Sequence, residues 1–133
     1  MPLSWSISHS SSLVHILAKG DLEQAQFSKL LQAIDAAKAS SYRKLVVITG
    51  VTSTLGPHTL RSLAGTVRRR ERERTVGPIA IVADSPVSQR AASVFIEAAH
   101  GERLIQSFSS QDQARRWLNS FYAFEGQRRV LSQ

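Results

Sequence analysis

The sequence predicts a single α/β domain with the element order ββαβαβαβα, a mixed and mostly parallel sheet carrying four helices. Three observations carry that expectation. Two nearly continuous apolar runs, Leu45 to Ile48 and Ile79 to Val82, have the make-up of strands covered on both faces. Segments of helical periodicity separate these runs from each other and from their strand-like neighbours, which calls for right-handed crossovers between parallel strands. At 133 residues the chain is long enough to bury one core and short for two.

The elements follow in order. "LSWSIS" (3 to 8) alternates Leu3, Trp5 and Ile7, and "SLVHILAKG" (12 to 20) follows after a few polar residues, so the two read as an antiparallel hairpin. Gly20 ends the second strand, and Asp21 with Gln24 has N-cap spacing for a helix over about 22 to 39. Its stripe is Leu22, Phe27, Leu30, Leu31, Ile34 and Ala37. "KLVVIT" (44 to 49) is the central strand, and Pro57 suits the first position of a second helix with Leu60, Leu63, Ala64 and Val67 on one face. Gly77-Pro78 stops that helix, "PIAIVA" (78 to 83) is the next buried strand, and Ser85 is the N-cap of a third helix. Ala91, Ala92, Phe95, Ala98 and Ala99 make its apolar face, with Gly101 as the stop. "RLIQSF" (103 to 108) is the fifth strand. Ser110 to Gln113 has capping-box spacing for a last helix with Ala114, Trp117, Leu118 and Phe121 on one side. Residues 1–122 therefore form the domain, and 123–133, where the pattern dissolves, a flexible C-terminal tail.

Composition excludes whole classes of function. There is no cysteine, hence neither a disulfide nor a thiolate metal site. No apolar run approaches the roughly 20 residues a membrane-crossing helix needs, and "MPLSWSISHSSSLV" lacks the pattern of a signal peptide, so a cytoplasmic location is expected. The four histidines, His9, His15, His58 and His100, are scattered without ligand spacing, and no metal or cofactor is expected. Of the net charge of +7, +4 falls in residues 58–75. Most of that is one basic patch, Arg68, Arg69, Arg70, Arg72 and Arg74, expected at the end of the second helix, where cations complement the helix dipole and pair with Glu71 and Glu73. An anionic membrane surface or other phosphate-rich partner is the alternative use. The patch lacks interleaved aromatics and any nucleic-acid-binding motif, which argues against base readout.

The turn after the central strand, "TGVTSTLG", looks at first like the phosphate-cradling turn of a short-chain dehydrogenase. Its position argues otherwise, because a dinucleotide enzyme uses its first strand and turn for the pyrophosphate and here two strands and a helix come before. The middle glycine of that pattern is Thr54, and neither Tyr42 nor Tyr122 is followed four residues later by Lys. Thr52, Ser53 and Thr54, at the start of a helix, can instead cap it or form an anion-receptive patch.

Over residues 4 to about 121 the chain resembles the STAS domain of anti-sigma factor antagonists, and most closely the SpoIIAA-like group, whose fold is related to CRAL-TRIO lipid-binding domains. The matching segments are Trp5-Ser6-Ile7, "LAKGDLEQAQFSKLLQAID", "RKLVVIT", "IAIVAD" and "FSSQDQARRWL". The resemblance implies a regulatory or ligand-binding module and not an enzyme. It also places Thr52 where such antagonists carry a phosphoacceptor within Asp-Ser-(Ser/Thr)-Gly-Leu-Gly, with Ser53 beside it. The acid of that pattern is Val51 here and its first glycine is Thr54.

The leading expectation is a non-enzymatic module that binds a protein partner or a small apolar or anionic ligand through Thr49, Thr52, Ser53, Thr54, His58, Asp84 and Ser85, all near strand C-terminal ends. A carrier of a hydrophobic or lipid ligand, related to CRAL-TRIO domains, is the alternative. A distant third is a small serine hydrolase using Ser53, His58 and Asp84, although no G-x-S-x-G elbow is present. Self-association as a homodimer is expected, because the opening strand is an edge that must be covered or blunted, and because aromatic residues lie near both chain ends.

Overall fold

The computed structural model describes residues 3–19, 24–49, 61–62, 64–67, 69, 77–99 and 105–120. Strands β1 (Leu3–Ser8) and β2 (Leu13–Lys19) form the expected antiparallel hairpin, with Ser6 opposite His15. Helix α1 (Gln24–Ala36) leads to β3 (Arg43–Thr49), and α2, helical at 61–62, 64–67 and 69, precedes β4 (Ile79–Ala83). Helix α3 (Pro86–Ala98), β5 (Ile105–Phe108) and α4, helical over 111–120, complete the order. The sheet has five strands in the order β1-β2-β3-β4-β5, parallel from β2 to β5. The expected α/β class and element order are both present.

The strand order fixes where the helices go. Every crossover steps to the next strand in the same direction, so right-handed connections put their helices on one face. Accordingly α1 and α3 share a face: Val46 and Ile48 of β3 pack both against the cluster holding Leu30 and Ile34 and against the cluster holding Ala92. The opposite face of β3 and β4, Leu45, Val47, Ala80 and Val82, packs against Ala114 and Leu118 of α4. Alternate residues of β3 thus enter two cores, which is why its sequence is apolar without interruption. Phe27, Leu31, Phe95 and Trp117 are half-buried rather than fully covered. Asp21, Leu63, Gly101 and the tail 123–133 lie outside the described residues.

Helix α1 stops at Ala36, three residues before the expected end. The stop is a Schellman motif: the Ala39 N–H donates to Ile34 O and the Lys38 N–H to Asp35 O, both at 3.0 Å, while buried Ala39 and Ile34 sit in one cluster. Lys38 occupies the left-handed position with φ 56°, where glycine is usual. An L side chain there costs about 1–2 kcal/mol of local conformational energy, partly offset by the greater unfolded-state entropy of glycine. Lys38→Gly is therefore expected to stabilise the protein by about 0.5–1 kcal/mol in urea unfolding, and a destabilisation would refute this account of the helix end.

At the lower end of the sheet the chain closes on itself around two buried cations. Arg43 donates from one guanidinium nitrogen to Leu118 O and Asn119 Oδ1, both at 3.2 Å, and from another to Ser11 O at 2.6 Å. Lys44 Nζ donates to Ser40 O and Tyr42 O at 2.7 Å. Gly77 docks here, its N–H bonded to Ser40 O at 3.1 Å, so closely that a Cβ would fall 2.6 Å from Ser41 O. Only glycine fits that approach.

Candidate functional site

Four parallel strands end at one rim, which gathers their C-termini and the loops that follow them. The register makes the grouping specific. Lys19 of β2 is level with Thr49 of β3, and Ile48 is level with Ala83 of β4, which puts Asp84 one step further along, beside Thr49. Lys19 and Asp84 are exposed, whereas Thr49 and Ser85 are half-buried. The rim thus presents a cation, a carboxylate and two hydroxyl-bearing residues, a set suited to polar or charged groups.

Ser85 caps α3 as the sequence predicts. Its Oγ accepts the Ser88 N–H at 3.2 Å, Ser88 Oγ accepts the Ser85 N–H at 3.1 Å, and the two hydroxyls lie 2.8 Å apart. This is a reciprocal capping box closed by a second serine in place of the usual Glu or Gln. Pro86 at the first position brings no N–H, and the Gln89 N–H is held by Ser85 O at 2.8 Å. Most donors of this helix start are therefore already used. Gln89 Nε2 also donates to Ala83 O at 3.3 Å, which ties the helix to the end of β4.

Of the residues expected at the site, the structure brings Thr49, Asp84 and Ser85 to one rim. Thr52, Ser53, Thr54 and His58 lie outside the described residues, so neither the hydroxyl patch nor a Ser53, His58 and Asp84 arrangement is part of this geometry. Lys19 and Gln89 are the additions that sequence reasoning missed. Parallel pairing of β2 with β3 brings Lys19 to the rim, and no local motif marks it. Within the basic patch, Arg69 is exposed and donates to Thr66 Oγ1 at 3.2 Å. Arg68, Arg70, Arg72 and Arg74 lie outside the described residues.

The last helix begins on a half-formed box: Ser110 Oγ accepts the Gln113 N–H, while Gln113 Oε1 accepts from Ser109 Oγ, each at 3.3 Å. Its Trp117 leans on Phe108 with ring centroids 5.6 Å apart. Away from the rim, His15 lies on the α4 side of β2, with its Nε2 buried and unpartnered. Burial pushes its pKa below the usual value and the Arg115 guanidinium pushes it further, so the ring is mostly neutral at pH 7. Among the described residues no group of His, Asp or Glu has metal-site geometry, and no helix is long and apolar enough to cross a membrane.

The family model described as SpoIIAA-like matches residues 13–119. No curated protein sequence matches the chain. Among solved structures, the fold is similar to an uncharacterised protein of the DUF3478 family with a SpoIIAA-like fold from Shewanella loihica PV-4. The TM-score is 0.60 at 17% identity, covering 87% of this chain and 91% of the other. It is also similar to an anti-sigma factor antagonist from Mycobacterium paratuberculosis, with a TM-score of 0.56 at 17% identity over 88% of this chain and 94% of that one. The match to the family model spans most of the chain, and both structures share the fold: the chain belongs to the SpoIIAA-like family.

Proposed function

We propose that this protein is a non-enzymatic STAS-type regulatory module that binds a protein partner or a small anionic ligand at the C-terminal rim of its parallel strands. The observation that supports this reading most is the register that sets Lys19, Thr49 and Asp84 side by side, immediately before the hydroxyl-rich segment of Thr52, Ser53 and Thr54. The start of α3 is closed on its own serines, whereas Thr52, Ser53 and Thr54 bring hydroxyls that a kinase can phosphorylate. The anti-sigma factor antagonist of similar fold favours a protein as the partner. Thr52 and Ser53 are then the positions at which phosphorylation would switch the partner off or on.

Native mass spectrometry of protein purified from its own host identifies what is bound, and the double variant Thr52→Ala, Ser53→Ala tests the site. Affinity for that species is expected to fall about tenfold or more per folded molecule, which corresponds to about 1.4 kcal/mol. If the hydroxyls serve only as helix caps, stability falls by about 0.5–2 kcal/mol and affinity stays where it was. That second result would remove the proposal.

A further inference from the structure

Strand β2 sorts its side chains by face: Val14, Ile16 and Ala18 enter the α1 core, while Leu13 and Leu17 pack against the cluster that holds Ala114 and Leu118 of α4. His15, between those two leucines, therefore stands in the seam between sheet and helix, level with Leu45 of β3 and Ser6 of β1. Its Nε2 is buried there with no hydrogen-bond partner. A neutral ring tolerates that at modest cost, whereas a charged one does not. The charges facing the ring are nearly all of one sign. Trp117 leans on Phe108 of β5, so Arg115, two residues earlier, is on the flank of α4 turned toward β2, and its guanidinium acts on the imidazole. Arg43 of β3 lies on the same face, bonded to Leu118 O and Asn119 Oδ1, and Lys19 ends β2 on that face. Strand β1 adds only Ser4, Ser6 and Ser8. The acid on α4 is Asp112, exposed and one turn before Arg115, with Arg116 bonded back to its carbonyl.

We propose that His15 is a proton-sensitive latch beneath α4: the neutral imidazole lets the helix dock on β2, and protonation of the ring loosens that docking while the α1 and α3 face of the sheet stays packed. The ring is only half-buried, so solvent protons reach it without unfolding. A proton on it creates a charge that no acceptor at Nε2 satisfies and sets it against Arg115. Lifting α4 relieves both, because it admits water to the ring and lets the two cations part. The direction with pH follows from linkage. Burial and Arg115 hold the docked ring below the ordinary value of 6.5, so the open ring takes up its proton first. Docking is complete above 6.5 and weakens as the pH falls below it.

Hydrogen exchange at about pH 7.5 and about pH 5.5, a range over which ordinary carboxylates stay ionised, is the test once the intrinsic rates are divided out. Amides of α4 in the wild type are expected to open about two- to tenfold more often at the lower pH, the upper bound being set by an open ring one unit below its ordinary value. Amides of α3, on the opposite face, are expected to keep their protection. In His15→Gln the acid-induced opening is expected to vanish, and in Arg115→Gln to shrink, because burial remains and the repulsion does not. The control His9→Gln, in the exposed turn between β1 and β2, is expected to open like the wild type. Protection of α4 that is the same at both pH values overturns the proposal, as does an opening that His15→Gln leaves in place. Should His15→Gln fail to fold, an NMR titration of the wild type decides. Amide shifts of α4 that follow the titration of the His15 ring support the latch, and α4 amides that stay still while the ring titrates overturn it.

Discussion

Leu45→Ala is expected to lower the unfolding free energy by about 2–5 kcal/mol, a large part of the roughly 5–15 kcal/mol that a domain of this size has. Leu45 is fully buried at the centre of the sheet, on the α4 side. Its neighbours explain why the cost falls in the upper part of the range. Two of the residues in that cluster are already alanine, Ala80 on the adjacent strand and Ala114 on the helix, so the helix rides close to the sheet there. Leu45 and Leu118 supply the bulk between the two layers. Removing the isobutyl group leaves a void that backbone on either side cannot close without breaking the strand ladder or lifting α4. The exposed substitution Val87→Ala should change stability by no more than about 0.5 kcal/mol, which makes it the control. Urea unfolding with an unchanged m-value for Leu45→Ala would show that the native core, and not the unfolded state, carries the effect. A loss below about 1 kcal/mol would mean that the layers collapse onto the site after all.

What the sequence disclosed depended on how local each signal was. The strands were legible because burial on two faces leaves a run such as Leu45 to Ile48 with no polar residue, whatever its neighbours are. Ser85 was legible as a cap because capping is decided within one turn. Its partner Ser88 was not, since a capping box is usually sought through Glu or Gln at that position. The end of α1 was hidden for a related reason: Lys38 holds the left-handed position that glycine would have advertised. Non-local facts were the hardest. Thr49, Asp84 and Ser85 could be assigned to a common rim from chain order alone, but Lys19 joins them only through a register between β2 and β3 that no residue encodes locally. The segment from Gly50 to Leu60, on which the hydroxyl part of the site depends, lies outside the described residues.

Arg43 is the clearest case of a role that only the tertiary structure reveals, and its replacement is the second change of large expected effect. In the sequence it is one of two adjacent charges that precede an apolar strand. In the fold it is 8% exposed, and its guanidinium joins three segments: the hairpin turn at Ser11, the start of β3, and α4 at Leu118 and Asn119. The carbonyl of Leu118 accepts a charge-assisted bond from it within the buried interior. Arg43→Ala removes three charge-assisted bonds and leaves the buried Leu118 carbonyl without this donor, so a loss of about 2–4 kcal/mol is expected. Lys in its place keeps the charge but cannot span the acceptors with a single ammonium, and Arg43→Lys should restore less than half of the loss. The position of the damage separates this from simple loss of packing. Exchange should quicken at amides of α4 and of the β1–β2 turn, while α3, which is on the opposite face, keeps its protection. If Arg43→Met proved as stable as the wild type, the stem of the side chain would matter and the clamp would not.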